Sequence, residues 1–173
     1  MVVRSHARAK LAEIALPVPM KINVFAVGRK MPAWVEQAST DYAKRLPGRW
    51  GFNVREFPQA QGGGRPEQAM LQEAQRLLSA LPETAHVVAL DNRGDSWSTE
   101  QVARQLQYWQ ENAGKLVFMI GGADGLHQQC RERADQLWCL SPLTFPHPLV
   151  RVVLTEQLYR AYSLLQNHPY HRA

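Results

Sequence analysis

"KLVFMIGGADGL" (Lys115–Leu126) decides how this chain folds. Leu116 to Ile120 form an apolar run without polar alternation, which predicts a central strand buried on both faces. Gly121 and Gly122 close it, and a short helix is expected after "ADG". Outward from here the same grammar repeats. On the N-terminal side, "KINVFAVG" (Lys21–Gly28), "FNVREFP" (Phe52–Pro58) and "HVVALD" (His86–Asp91) predict strands. Helices are expected over Pro32–Leu46, with Pro32 suited to the first turn, and over Pro66–Leu81. Ser98 and Gln101 make a capping box for a third helix reaching about Asn112. On the C-terminal side come a short strand, "LWCL" (Leu137–Leu140), the loop "SPLTFPH", and a helix from Pro148 to about Gln166. Strand followed by helix five times over implies an α/β fold, a mostly parallel sheet with helices on both faces. No internal repeat is visible.

In such sheets ligands bind beyond the carboxyl ends of the strands. That rule selects three loops: "NRGDSW", "GGADGL" and "SPLTFPHP". "GGADGL" is not a P-loop, because no Lys-Ser/Thr pair comes after it, and it does not match G-x-G-x-x-G. It is a plain turn or a place where backbone meets ligand. In "SPLTFPHP", Pro142, Pro146 and Pro148 fix three φ angles and remove three donors. Such a loop is a rigid strand-to-helix connection, or a pre-ordered edge that reads a flat heterocycle with backbone amides.

The chain has 173 residues, 45% hydrophobic and 20% charged, which excludes disordered, fibrous and disulfide-dense classes. Cys130 and Cys139 read as reduced cytosolic thiols. No apolar run approaches the roughly 20 residues of a membrane span. The net charge of +5 hints at nucleic acid, but Arg4, Arg8 and Lys10 supply much of it. From Met20 onward 17 basic residues face 14 acidic ones, a mild +3. Residues 1–19 look foreign to the rest of the chain, and are expected to be a disordered extension ahead of one domain over 20–173. An amphipathic or transit-like arm is the sharper alternative. "QGGGR" reads as a disordered surface loop, or as a mobile one near RNA with Arg65 meeting phosphate.

At 100° per residue, Val150, Val153, Leu154, Leu158, Ala161, Leu164 and Leu165 share a core face of the last helix. Val152, Tyr159 and Tyr162 then fall on the opposite side, among Arg151, Glu156 and Arg160. That side is a solvated face, or a second contact surface in a symmetric dimer. The chain ends "NHPYHRA" (Asn167–Ala173), an unusual load of proton-transfer groups for a terminus.

"GRKMPAWV", "FMIGGADGLH" and "LSPLTFPHPLVRVVLTEQLYRAYSLLQNHPYHR" together resemble the ribosomal RNA large subunit methyltransferase H family of the SPOUT superfamily. The resemblance runs from Met20 to the C-terminus and leaves residues 1–19 outside. It implies a SPOUT-type fold with a C-terminal trefoil knot, a cytoplasmic homodimer, and methyl transfer from S-adenosylmethionine to N3 of a pseudouridine in helix 69 of 23S ribosomal RNA. It also implies that the cofactor lies against Leu90, Gly121, Leu140, Ser141, Pro142, Leu143, Thr144 and Phe145. "GGADG" stands here where some relatives carry "GGPEG".

Methyl transfer from a sulfonium is one displacement, so alignment of donor and acceptor dominates. The N3 proton must leave, or charge developing on the flanking carbonyls must be stabilised. Arg160, Tyr170 and His171 are the candidate catalytic groups, and Arg172 the candidate RNA contact. They would act near a cofactor site, that of a partner subunit included, on the assembled ribosome rather than on free RNA. Two rivals stand beside this. His147, His168 and His171 with the two cysteines could serve metal-dependent hydrolysis, but no zinc ligand pattern is complete and no metal is expected. A non-catalytic RNA-binding module would bind RNA without S-adenosylmethionine.

Overall fold

The computed structural model describes residues 19–61 and 63–172. The expectation about residues 1–19 therefore falls, but for Pro19, outside the described residues, as does Gly62 of the glycine-rich loop. Five strands appear where five were expected: β1 (Lys21–Val27), β2 (Asn53–Phe57), β3 (His86–Ser96), β4 (Lys115–Ile120) and β5 (Gln136–Cys139). Between and after them run α1 (Ala33–Ala43), α2 (Pro66–Ala80), α3 (Thr99–Asn112), α4 (Gln128–Arg133) and α5 (His147–Leu165). The strand order is β2-β1-β4-β3-β5, and every pair is parallel.

β4 lies at the centre, and its side chains alternate between two cores. Leu116, Phe118 and Ile120 face a layer that includes Val102, Leu106 and Trp109 of α3 and Leu154 and Leu158 of α5. Val117 and Met119 face the other layer, with Ala74 and Leu77 of α2 and Cys130 of α4. Both faces are apolar because both are covered, hence the continuous hydrophobic run in the sequence. Each large side chain buried this way contributes about 2 kcal/mol.

Local chemistry sets the element ends. Ser98 Oγ accepts from the Gln101 N–H at 3.3 Å, and Gln101 Oε1 accepts from the Ser98 N–H at 2.7 Å. That is the expected capping box. Pro32 stands just before α1 rather than in its first turn. β5 is fastened to α3 through Gln136: its Oε1 accepts from Trp109 Nε1 at 2.8 Å, and its Nε2 donates to Gln105 Oε1 at 2.8 Å.

Two expectations need correction. "NRGDSW" is no loop: strand geometry continues through it to Ser96. Asp95 and Ser96 pair with Trp138 and Cys139 after a register shift beyond Leu90. The shift is possible because Gly94 has no side chain: a Cβ there would stand 2.5 Å from the backbone of Leu137. The outer face of α5 also differs. Arg151 is buried, and Tyr159 and Tyr162 pack against the core layer, whereas Val153 is only half-buried. Helical periodicity alone does not foresee that α1 and the turn at Gly48–Trp50 cover that side. The Tyr162 ring meets Trp50 edge-on at 5.2 Å.

Candidate functional site

The carboxyl ends of β3, β4 and β5 lie side by side, and the segments leaving them enclose a cleft of about 890 Å³. All eight residues expected to hold a cofactor line it: Leu90, Gly121, Leu140, Ser141, Pro142, Leu143, Thr144 and Phe145. The glycine turn forms one wall. Its two limbs approach so closely that a Cβ on Gly121 would lie 2.4 Å from the Gly125 carbonyl carbon. No other residue fits there.

The proline-braced segment forms the opposite wall. Ser141 Oγ accepts from the Leu143 N–H at 3.0 Å, and Cys139 Sγ donates to the Ser141 carbonyl at 3.1 Å. The backbone N–H groups of Thr144 and Phe145 have no acceptor among the described residues. Two donors in a stiff loop can therefore meet acceptors of a bound molecule without rearrangement. Leu143 is 71% exposed at the rim.

Acidic groups complete the surroundings. Asp91 and Asp124 line the cleft. The Asp91 carboxylate lies 3.8 Å from Arg93 and 3.7 Å from Arg131, and accepts from the Arg93 N–H at 2.9 Å. Beneath the glycine turn sits the buried Glu73 of α2. Its Oε1 accepts from the Ala60 N–H at 2.9 Å, and its Oε2 lies 3.2 Å from where a Cβ on Gly122 would be. Burial raises its pKa above 4.5, against the Ala60 N–H and Arg76, with repulsion from Asp124 adding to the rise.

At the far end of the cleft, His147 opens α5. Burial, and then the charge of Arg151, lowers its pKa below 6.5, so the ring is neutral at pH 7. Arg151 anchors this corner. It donates to Glu56 Oε1 at 2.5 Å and to the Gly28 carbonyl at 2.7 Å. Sequence reasoning missed Asp91, Glu73 and Arg151. Asp91 alone had a usable signal, an acid at the carboxyl end of an inner strand.

The expected catalytic groups lie elsewhere on the chain. Arg160 and Tyr170 do not line the cleft; they meet on the face made by α1, α5 and the terminal turn Pro169–Arg172. Arg160 pairs with Glu156 at 2.7 Å and lies over the Tyr170 ring at 4.9 Å. The Tyr170 hydroxyl donates to the same Glu156 Oε1 at 3.1 Å, and its ring packs on Tyr159 at 4.7 Å. Burial, a hydrogen bond with Tyr42 and the Glu156 charge all push the Tyr170 pKa up, so the phenol keeps its proton. His171 and Arg172 belong to the same terminal turn by their backbone, and Arg172 is exposed. Among the described residues no three His, Cys, Asp or Glu side chains group to hold a metal, and no helix is long and apolar enough to cross a membrane.

Comparison with known proteins gives this arrangement a family. The family model described as "Predicted SPOUT methyltransferase" matches residues 20–171. A relative from Thioalkalivibrio sulfidiphilus named Ribosomal RNA large subunit methyltransferase H is 49% identical over 155 residues, covering 88% of this chain and 99% of its own. One of the same name from Nitrosococcus oceani is 50% identical over 156 residues, covering 89% and 99%. Among solved structures, a "Probable Methyltransferase" from Bordetella pertussis is similar in fold alone, with TM-score 0.53 and 14% identity over 83% of this chain and 97% of that one. A "probable methylase family protein" from Haemophilus influenzae gives 0.52 and 11%, over 88% and 70%. A chain matched over nearly its whole described length by the family model, and half identical to relatives across almost their full length, belongs to the SPOUT methyltransferase family.

Proposed function

We propose that this protein is an S-adenosylmethionine-dependent methyltransferase that methylates N3 of a pseudouridine in helix 69 of 23S ribosomal RNA. On this reading it works in the cytoplasm, as a homodimer with the C-terminal knot of its superfamily, on the assembled ribosome. The names of its half-identical relatives support an RNA substrate. One observation carries the reading: three strand ends converge on a cleft whose wall presents the Thr144 and Phe145 N–H groups.

The residues present fit the cofactor. About 890 Å³ lies within the range of small-molecule pockets, roughly 300–1,000 Å³. Gly121 leaves the cradle free of a Cβ. The Asp124 carboxylate in the lining favours a cation nearby, whereas Asp91 is already paired with Arg93 and Arg131. Leu90, Leu140, Leu143 and Phe145 offer apolar contact, and the Ser141–Phe145 main chain offers the polar ones. Bound there, S-adenosylmethionine supplies an electrophilic methyl group.

The chain's own residues then handle charge and protons. His171 takes the N3 proton. Arg160 and the protonated Tyr170 stabilise charge developing on the neighbouring carbonyl oxygens, and Arg172 meets phosphate. Because Arg160 and Tyr170 lie outside their own cleft, the tail serves the cleft of the second protomer. The test is transfer of labelled methyl from S-adenosylmethionine to ribosomes lacking the modification. Transfer is expected only when the pseudouridine is in place; equal transfer without it refutes the target, and equal transfer to naked transcript refutes the ribosome requirement. Full activity of His171→Ala would remove His171 from the mechanism.

A further inference from the structure

The loop leaving β1, "GRKMPAW" (Gly28–Trp34), has physical features that the cleft does not use. Trp34, in the first turn of α1, is 53% exposed, although indole is among the most costly side chains to leave in water. Arg29 and Lys30 are exposed, and neither has a carboxylate within ion-pair distance among the described residues. Glu36, exposed on the same helix, is the one acid near them in sequence.

The loop is also held firmly beside the cleft. The Gly28 N–H donates to the Phe57 carbonyl at 2.8 Å, and the Gly28 carbonyl accepts from the buried Arg151 at 2.7 Å. A Cβ on Gly28 would lie 3.6 Å from Cε1 of His147, which lines the cleft. Lys30 adopts a left-handed φ of 58°, which a lysine keeps only where its surroundings hold it. Two exposed cations thus follow a glycine fixed beside the cleft-lining His147, and an exposed indole opens the helix just after them.

We propose that Arg29, Lys30 and Trp34 form a docking surface for an unpaired stretch of the RNA substrate, with the two cations on phosphates and a base stacked on the indole. The chemistry is that of single-strand binders, in which charge tracks the backbone and an aromatic ring takes a base without reading its identity. The inference rests on the reading that the protein acts on RNA. A second copy of this chain covering Trp34 is the competing occupant, and the free cations favour the polyanion.

Three full-length proteins are compared: the parent, Trp34→Ala and Arg29→Ala/Lys30→Ala. For each, affinity for 23S ribosomal RNA and for large ribosomal subunits is measured against salt, with S-adenosylmethionine calorimetry, methyl-transfer kinetics and sedimentation. Trp34→Ala should weaken RNA binding about tenfold at every salt concentration. The double variant should lower the slope of log affinity against log salt by roughly 1.4, two single-strand phosphate contacts. KM for the ribosome should rise with kcat and cofactor affinity unchanged, and Trp34→Phe should recover most of the loss. Unchanged RNA affinity in both variants overturns the proposal. So does a change in sedimentation of Trp34→Ala with RNA binding intact, which assigns the surface to a second copy. A parent protein that binds no S-adenosylmethionine would sink the methyltransferase reading instead, while the RNA arms still decide this one.

Discussion

Arg151 illustrates how a single side chain shapes the site. It is 5% exposed, and its guanidinium ties α5 to the carboxyl ends of β1 and β2 through Glu56 and the Gly28 and Val27 carbonyls. Replacing it with methionine keeps the volume but strands those acceptors. Breaking a buried pair costs about 3–5 kcal/mol, and the lower end applies because Glu56 remains one-third exposed. Urea unfolding of Arg151→Met should show a loss of about 3 kcal/mol, partly recovered by adding Glu56→Gln. Glu73 makes the opposite case, a carboxylate that burial disfavours. Its folded pKa lies above the unfolded 4.5, so the folded state holds this proton more tightly. The resulting stabilisation is complete below about pH 4.5 and is lost as pH rises through the folded value. Glu73→Gln, which keeps an acceptor for the Ala60 N–H, should therefore be more stable than the parent at about pH 7.5. The gap should close by about pH 4; a gap that widens on acidification would contradict the assignment.

At the scale of elements, helix starts and glycine turns are the sensitive points. Ser98 closes the N-terminus of α3 with a reciprocal pair of hydrogen bonds. Ser98→Ala should lower stability by about 1 kcal/mol in thermal or urea unfolding, without touching the cleft. Gly121 offers the contrasting test. Any side chain there meets the Gly125 backbone at 2.4 Å, so the glycine turn must open. Gly121→Ala should weaken cofactor binding at least tenfold by calorimetry, and unfolding should register about 1–3 kcal/mol of overpacking. The capping box and the glycine turn were both legible in the sequence, because each is set by residues within a few positions of one another. The extension of β3 to Ser96 was not. It depends on β5, roughly forty residues further along the chain, arriving beside Gly94.

For the whole molecule, the two cysteines report on different openings. Cys130 is fully buried between α4 and the sheet, and burial pushes its pKa up to about 11. It should react with a thiol reagent only at the rate of global unfolding. Cys139 lines the cleft. Its slower-than-free labelling should be suppressed further by saturating S-adenosylmethionine, while Cys130 labelling falls only as far as ligand binding stabilises the fold. Equal protection of both would mean that the cofactor is not in the cleft.

The sequence by itself determined the succession of strands and helices, the parallel sheet, and which three strand ends border the cleft. Those derive from hydrophobic period, proline and glycine placement, the alternation of strand with helix and the rule for strand ends, all of them local or topological. Only the tertiary structure decided that Arg151 is a buried tie, that Tyr159 and Tyr162 pack inward, and that Arg160 and Tyr170 gather around Glu156 away from the cleft. Periodicity says which residues share a face of α5. What covers that face is set by α1 and the chain terminus, whose approach is a long-range packing event with no signature in any short window of residues.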